Sequence, residues 1–377
     1  MFFLFFCLFA KPLSHKKITP KTVPCNAVKQ LLILDVDTNE ILQSSGGQNL
    51  MEPSSMTKIL TVLYTLELIK KGKVSLDEVV TVTQEAYQTE GTAMFLELGQ
   101  RLTVAELLDG IAIVSGNDAC RALAIHVCGD EVTFAKNMTE FAHKIGAKNT
   151  HFVNTSGLPD PMHQTTSYDL AIISLYLLNN FKGQSVERFA RQDLTFNNIH
   201  QYNKNVILGC SSPAFVCDGL KTGHAEKAGF GIVATAYHPQ THRRVLCVLN
   251  GMHSVGERKK ECLQALEWAF KNTTQKIIYK TKDPIAKLPV RFGDLDAVDI
   301  VPKRNVGYVN IGTSQPEIQV TVQLPKFLKG PMPAGTKVGQ VVLSVNKKSK
   351  KIPLVTAAAI KPAHFLKGLW HKIRYFQ

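Results

Sequence analysis

The 377-residue sequence predicts an α+β fold: an antiparallel sheet covered by helices, then a small all-β sandwich domain and a C-terminal amphipathic helix. Three observations predict it. Strand-like runs bracket a helix-rich region, the pattern changes after residue 284 to short strands punctuated by Gly and Pro, and the last residues show helical amphipathic spacing.

Residues 1–10, MFFLFFCLFA, form an apolar run followed by Lys11, too short to span a bilayer but of signal-peptide length. Residues 1–25 therefore read as an export segment, although the usual positive residues before the apolar core are missing. Residues 28–44 alternate as two apolar strands joined by a turn at Asp37-Thr38-Asn39. After Pro53, residues 55–69 are apolar around most of a helical circumference, as in a helix buried on all sides, and Lys70-Lys71-Gly72 ends it. Thr103 with Glu106 forms a capping box opening a helix through Val114, which breaks at Ser115-Gly116-Asn117 and resumes to Cys128-Gly129. Helical spacing recurs at 131–145, 167–180 and 257–271, while 216–236 and 243–251 read as β-strands. The first domain is expected over 26–280 and the β-rich domain over 284–355. Wound as a helix, 361–377 sets Phe365, Leu366, Leu369, Trp370, Ile373 and Phe376 on one face and Lys367, His371 and Arg374 opposite. That pattern lies flat on a membrane surface, the alternative being a helix docked on its own domain.

Apolar residues at 45% and charged residues at 20% are those of a folded soluble chain. A net charge of +14 suits anionic lipid or an acidic glycan. Nucleic acid is disfavoured, because the basic stretch at 11–29 lacks interleaved aromatic residues. Eight cysteines (Cys7, Cys25, Cys120, Cys128, Cys210, Cys217, Cys247, Cys262) show no CxxC and no zinc spacing, so no metal is expected. Cys210 and Cys217 have the spacing for a disulfide in an oxidising compartment, but buried free thiols are the preferred reading.

A serine hydroxyl needs a base within hydrogen-bond reach, and a lysine whose pKa is lowered by burial or by cations serves. Ser-x-x-Lys occurs three times: Ser14/Lys17, Ser55/Lys58 and Ser344/Lys347. Ser55/Lys58 stands out because it opens a buried helix, where free N–H groups favour a developing anion. Ser54 is the candidate N-cap beside it, and both serines read alternatively as caps with Lys58 solvated. Ser115-Gly116-Asn117 sets a hydroxyl and an amide at a helix break. Lys221-Thr222-Gly223, on a strand, offers a cation for a carboxylate and a glycine for close backbone approach.

In this order the three elements resemble the penicillin-recognising serine enzymes. The segments EPSSMTKILT, AMFLELGQRLTVAELLDGIAIVSGNDAC, NTHFVNTSGL, NNIHQYNKN and DGLKTGHAEKAGFGIVATA are similar to D-alanyl-D-alanine carboxypeptidases of the low-molecular-mass penicillin-binding protein type, a resemblance covering about 28–370. It implies the β-lactamase/DD-peptidase-like fold, Ser55 as acyl-ester nucleophile, Lys58 as its base, and Ser115 and Asn117 as proton relay and substrate contacts. Lys221 and Thr222 would hold the terminal carboxylate beside Gly223, and the N–H groups of Ser55 and His224 would form the oxyanion hole. The implied substrate is the peptidoglycan stem peptide, β-lactams are the implied inhibitors, no cofactor is implied, and the location is the outer face of the cytoplasmic membrane. The same fold serves DD-endopeptidases and β-lactamases, and a non-catalytic wall-binding protein is a further alternative. Two departures stand out. The family's carboxylate-binding arginine on the strand after Lys-Thr-Gly is missing, with Met252 or His253 near its place, and Gly91-Thr92-Ala93 stand where small serines are commoner.

Overall fold

The computed structural model describes residues 22–313 and 315–363. Most of the expected export segment (1–21) and of the amphipathic C-terminal helix (364–377) lies outside the described residues. The chain divides into two compact units, one over Thr22–Lys271 and one from Asn272 onward.

The first unit opens with a hairpin of β1 (Gln30–Asp35) and β2 (Glu40–Ser45). Its turn is pinned by Asp35, whose Oδ1 accepts from both the backbone N–H and the hydroxyl of Thr38. A single 3₁₀ turn, Ser54–Thr57, leads into α1 (Lys58–Lys70), where Ile59, Leu60, Val62, Leu63 and Leu66 are all buried. Next come β3 (Val79–Thr81), α2 (Gln84–Tyr87), β4 (Arg101–Thr103) and α3 (Val104–Asp109). The Thr103–Glu106 capping box is closed in both directions. One π-helical turn, Gly110–Val114, then ends at Ser115 in the left-handed region (φ 66°), and α4 (Asn117–Cys128) stops at Gly129. Helix α5 (Glu131–Ile145) is capped by Asp130. Helix α6 runs from Ser167 to Ala190, beyond the expected end at residue 180. The chain kinks at Phe181 (φ −137°, ψ 26°), just past that expected end, and the helix resumes. A small hairpin, β5 (Asp193–Phe196) and β6 (Ile199–Tyr202), turns on Asn197 and Asn198, both at positive φ.

Strands β7 (Ser211–Ser212), β8 (Phe215–Ala225), β9 (Gly229–Tyr237) and β10 (Arg244–Met252) complete a six-stranded antiparallel sheet in the order β2-β1-β10-β9-β8-β7. The chain's opening hairpin thus docks on a strand some two hundred residues later, Leu32 opposite Val248. Every residue of β10 is buried, as a central strand with both faces covered requires. Helices pack on this sheet around one core that includes Leu32, Ile59, Leu63, Ile111, Phe134, Leu177 and Val248. The buried guanidinium of Arg244 grips Asp218 through two 2.6 Å bonds, tying β10 to β8, and Arg243 bonds Asp35 at 2.8 Å. Helix α7 (Val255–Asn272) follows β10.

The second unit is all β. Strands β11 (Thr273–Tyr279) and β14 (Val306–Ile311) pair as one sheet. The other, of six strands, comprises β12 (Ala286–Arg291), β13 (Ala297–Pro302), β15 (Ile318–Gln323), β16 (Leu328–Lys329), β17 (Lys337–Val345) and β18 (Lys348–Thr356). They share a core of Leu288, Ile300, Val306, Tyr308, Leu343 and Ile352.

Candidate active site

The site is built around the 3₁₀ turn. With three residues per turn, positions i and i+3 eclipse, so Lys58 stands directly behind Ser55. Its Nζ lies 3.0 Å from Ser55 Oγ, 2.8 Å from Asn117 Oδ1 and 2.7 Å from the Ser156 carbonyl. Lys58 is fully buried, and that burial lowers its pKa from 10.5 to about 8, against the opposing pull of Cys120, Asp118 and Glu131. A neutral amine has two N–H groups and one lone pair. The two acceptor-only oxygens, Asn117 Oδ1 and the Ser156 carbonyl, take the two N–H groups. The lone pair is left to face the only partner that can also donate, the Ser55 hydroxyl.

Ser54 does not act as the expected N-cap. It takes φ 49°, outside the extended region that a capping serine needs, and Pro53 holds the cap position without any side-chain bond. Nor is Lys58 solvated, so the reading of both serines as simple caps is overturned.

Asn117 is fixed from both ends: its backbone N–H donates to Thr92 O at 2.7 Å and its Nδ2 to Glu90 O at 2.8 Å. Asp118 secures the same loop by accepting from Met94 N and Leu96 N. Ser115 is buried at the helix break, and its hydroxyl has no hydrogen-bond partner among the described residues, a condition rare enough in buried groups to ask for a role.

Strand β8 forms the opposite wall. Lys221 is buried and donates to Thr222 O at 3.3 Å, and burial followed by the charge of Lys58 lowers its pKa well below the usual lysine range. Lys221 is therefore close enough to Lys58 for that charge to act on its amine. A Cβ added at Gly223 would stand 2.7 Å from the Pro53 carbonyl, so only glycine lets the strand come this close to the nucleophile turn. The His224 ring stacks on Phe230 with centroids 4.0 Å apart.

The sequence-predicted residues Ser55, Lys58 and Asn117 thus form one hydrogen-bonded cluster, with Lys221 buried on the strand that packs against the nucleophile turn and Ser115 buried but outside the bonded network. Sequence reasoning missed Ser156, which acts through a main-chain carbonyl, and His163. The latter accepts from Val153 N on Nδ1, so Nε2 carries the proton and donates to Thr57 Oγ1 at 2.8 Å. Burial lowers its pKa to about 3, so His163 is a neutral strut behind the turn. Beside the site, Lys29, Leu50, Glu52, Gln164, Lys227 and Asn250 line an open depression of about 280 Å³. Among the described residues no His/Cys/Asp/Glu group has the makings of a metal site, and no helix is long and apolar enough to cross a membrane. The described cysteines are free thiols, Cys210 and Cys217 included.

A helix-covered antiparallel sheet carrying a Ser-x-x-Lys turn, a Ser-x-Asn break and a Lys-Thr-Gly strand defines a serine enzyme of the penicillin-recognising class. Comparison with known proteins narrows the class: the family model "D-alanyl-D-alanine carboxypeptidase" matches residues 17–253, and "Penicillin-binding protein 5, C-terminal domain" matches 274–362. The chain belongs to the D-alanyl-D-alanine carboxypeptidase family of serine peptidases. It is 30% identical over 338 residues to the D-alanyl-D-alanine carboxypeptidase DacD of Escherichia coli, covering 87% of this chain and 86% of that protein. It is 28% identical to DacF of Bacillus subtilis, covering 90% and 87% respectively. Among solved structures, penicillin binding protein 5 from Haemophilus influenzae superposes with a TM-score of 0.74 at 27% identity, over 92% of this chain and all of that one. Penicillin binding protein 6B from Escherichia coli gives 0.70 at 27%, over 91% and 99%.

Proposed function

We propose that this chain removes the terminal D-alanine of peptidoglycan stem peptides through an acyl-enzyme on Ser55. The Ser55 hydroxyl gives its proton to the neutral amine of Lys58, and Oγ attacks the penultimate D-alanine carbonyl. The N–H groups of Ser55 and His224 hold the tetrahedral oxyanion. As the C–N bond breaks, the departing amine takes a proton passed from Lys58 through the otherwise unpartnered hydroxyl of Ser115. Asn117 binds the peptide and fixes Lys58, and Lys221 and Thr222 hold the terminal carboxylate where Gly223 lets the strand approach. Water then hydrolyses the ester, and a β-lactam that acylates Ser55 blocks the site. The single observation that carries this reading is the set of partners around Lys58, which leaves its lone pair facing Ser55.

The test incubates the protein with a fluorescent penicillin and, separately, with a peptide ending in D-Ala-D-Ala. Labelling together with release of one D-alanine per peptide is expected. Labelling without release would eliminate the carboxypeptidase. For location, the reading is export by residues 1–25 and peripheral attachment to the outer face of the cytoplasmic membrane by 361–377. Truncation before Pro362 is expected to leave the protein in the supernatant when it is spun with anionic vesicles, and co-sedimentation of the truncated form would rule the anchor out.

A further inference from the structure

Strand β8 carries a thiol upstream of Lys221-Thr222-Gly223, and the strand beside it carries another. β7 pairs with β8 through Ser211 opposite Val216 and Ser212 opposite Phe215, and one step further in that register Cys210 stands opposite Cys217. The backbone makes that step, the Cys217 N–H donating to the Cys210 carbonyl at 2.9 Å. The Cys217 carbonyl accepts from Gly209 at 3.2 Å, while the Cys210 N–H turns back to Ile207. The ladder therefore bulges at its end, which leaves Cys210 freer than a residue in a regular pair.

Residues opposite each other on an antiparallel ladder send their side chains to one face, with Cα atoms about 4.5–5.5 Å apart. That separation falls inside the span of about 4.4–6.8 Å that a disulfide bridges. The face is the one that meets α7, since Phe215, two residues before Cys217 on the same strand, stacks on Phe270 with centroids 5.5 Å apart. β8 is held firmly here, because Asp218 accepts from Thr235 at 2.8 Å and from both terminal nitrogens of Arg244. β7 is two residues long and lies at the sheet edge. The two thiols also differ in access. Cys210 is half-buried and its Sγ has only a 3.9 Å contact with the Val206 carbonyl, whereas Cys217 is 2% exposed and burial pushes its pKa up to about 12. Exchange with a solvent-borne disulfide therefore starts at Cys210.

We propose that Cys210 and Cys217 are a modification site, a dithiol pair that closes to a cross-strand disulfide by exchange with a small disulfide of the glutathione type. The Cys210 thiolate attacks one sulfur of the reagent, forming a mixed disulfide and expelling a thiolate that takes up the proton Cys210 lost. Cys217 then gives up its proton and attacks Cys210 Sγ, and the second reagent thiol departs with that proton. Two electrons and two protons pass from the pair to the reagent, so one disulfide is made and one is consumed. Burial of Cys217 makes the closing step slow, and it shields the finished bond from the reverse attack. The bond fastens the edge strand to β8 four residues before Lys221. None of this depends on the carboxypeptidase reading.

The test holds the purified full chain with oxidised glutathione, quenches with acid, alkylates the remaining thiols and digests with trypsin without reduction. Cleavage after Lys204 and Lys221 releases residues 205–221, which contain Cys210 and Cys217 and no other cysteine. That peptide is expected to escape alkylation, to lack the two thiol hydrogens, and to alkylate at both positions once reduced. The urea midpoint is expected to rise on oxidation of wild type, because the bond restricts the unfolded chain, and to stay unchanged in Cys210→Ser. Cys217 is also within electrostatic reach of Cys262 on α7, so a bond between those two is the competing outcome. A link from Cys217 to the peptide carrying Cys262, glutathione left on Cys210, or both thiols alkylated in full overturns the proposal. So does a wild-type midpoint that stays or falls on oxidation, since strands that hold a pair ready close it without strain. The peptide map of wild type decides even where the serine variant fails to fold.

Discussion

Replacing Lys58 with methionine is expected to slow acylation of Ser55 by about a thousandfold or more, the scale on which removal of an activating base acts in such pairs. Wild-type acylation should rise with pH and level off above about 8, because only the deprotonated amine accepts the hydroxyl proton and burial sets its pKa there. Stopped-flow labelling with a fluorescent penicillin between pH 6 and 10 reads both effects. A methionine variant that keeps the wild-type inflection would move the base to another residue. Stability follows from the same shift, with the sign opposite to that of a paired lysine. Because the folded pKa lies below that of the unfolded chain, the unfolded state binds more protons between about 8 and 10.5. Lys58 therefore costs stability at neutral pH, and its contribution becomes more favourable as pH rises through that window.

The second large effect is structural. Gly157 sits at φ 85°, and a Cβ there would overlap the Ser54 carbonyl oxygen and stand 2.9 Å from Thr57 Oγ1. Gly157→Ala should destabilise by about 3 kcal/mol or more, left-handed strain adding to a backbone overlap that nothing flexible can relieve. Gly129→Ala is the control: φ is again 85°, but no atom of the described residues lies within 4 Å, so about 1 kcal/mol is expected. Urea unfolding of both separates conformational strain from crowding. Equal losses would show that the close approach to the nucleophile turn has no energetic weight. Gly157→Ala should also slow acylation, since the overlap falls on the turn that aims Ser55.

Much of the fold was legible because local chemistry marks it. The Thr103–Glu106 box opened a helix where predicted, Gly72 and Gly129 ended theirs, and the helix break at Ser115 appeared at its place. Sheet order was not legible: β1 pairs with β10, and no local signal in either strand names so distant a partner. The side chains of Ser55, Lys58, Asn117 and Lys221 were readable from spacing and family resemblance. The Ser156 carbonyl was not, since every residue carries one and only the fold aims it. Ser54 misled because Pro-Ser-Ser before a helix is ordinary capping text, while the tight turn imposes a left-handed residue there.

The partners of Lys58 come from far along the chain, Asn117 being 59 residues away and Ser156 98, with Lys221 on a strand further still. No excised hairpin or helix pair contains a working fraction of this centre. Reactivity toward a penicillin is in consequence a late reporter of folding: during renaturation it stays silent through early collapse and helix formation, and switches on only when the distant strands have closed.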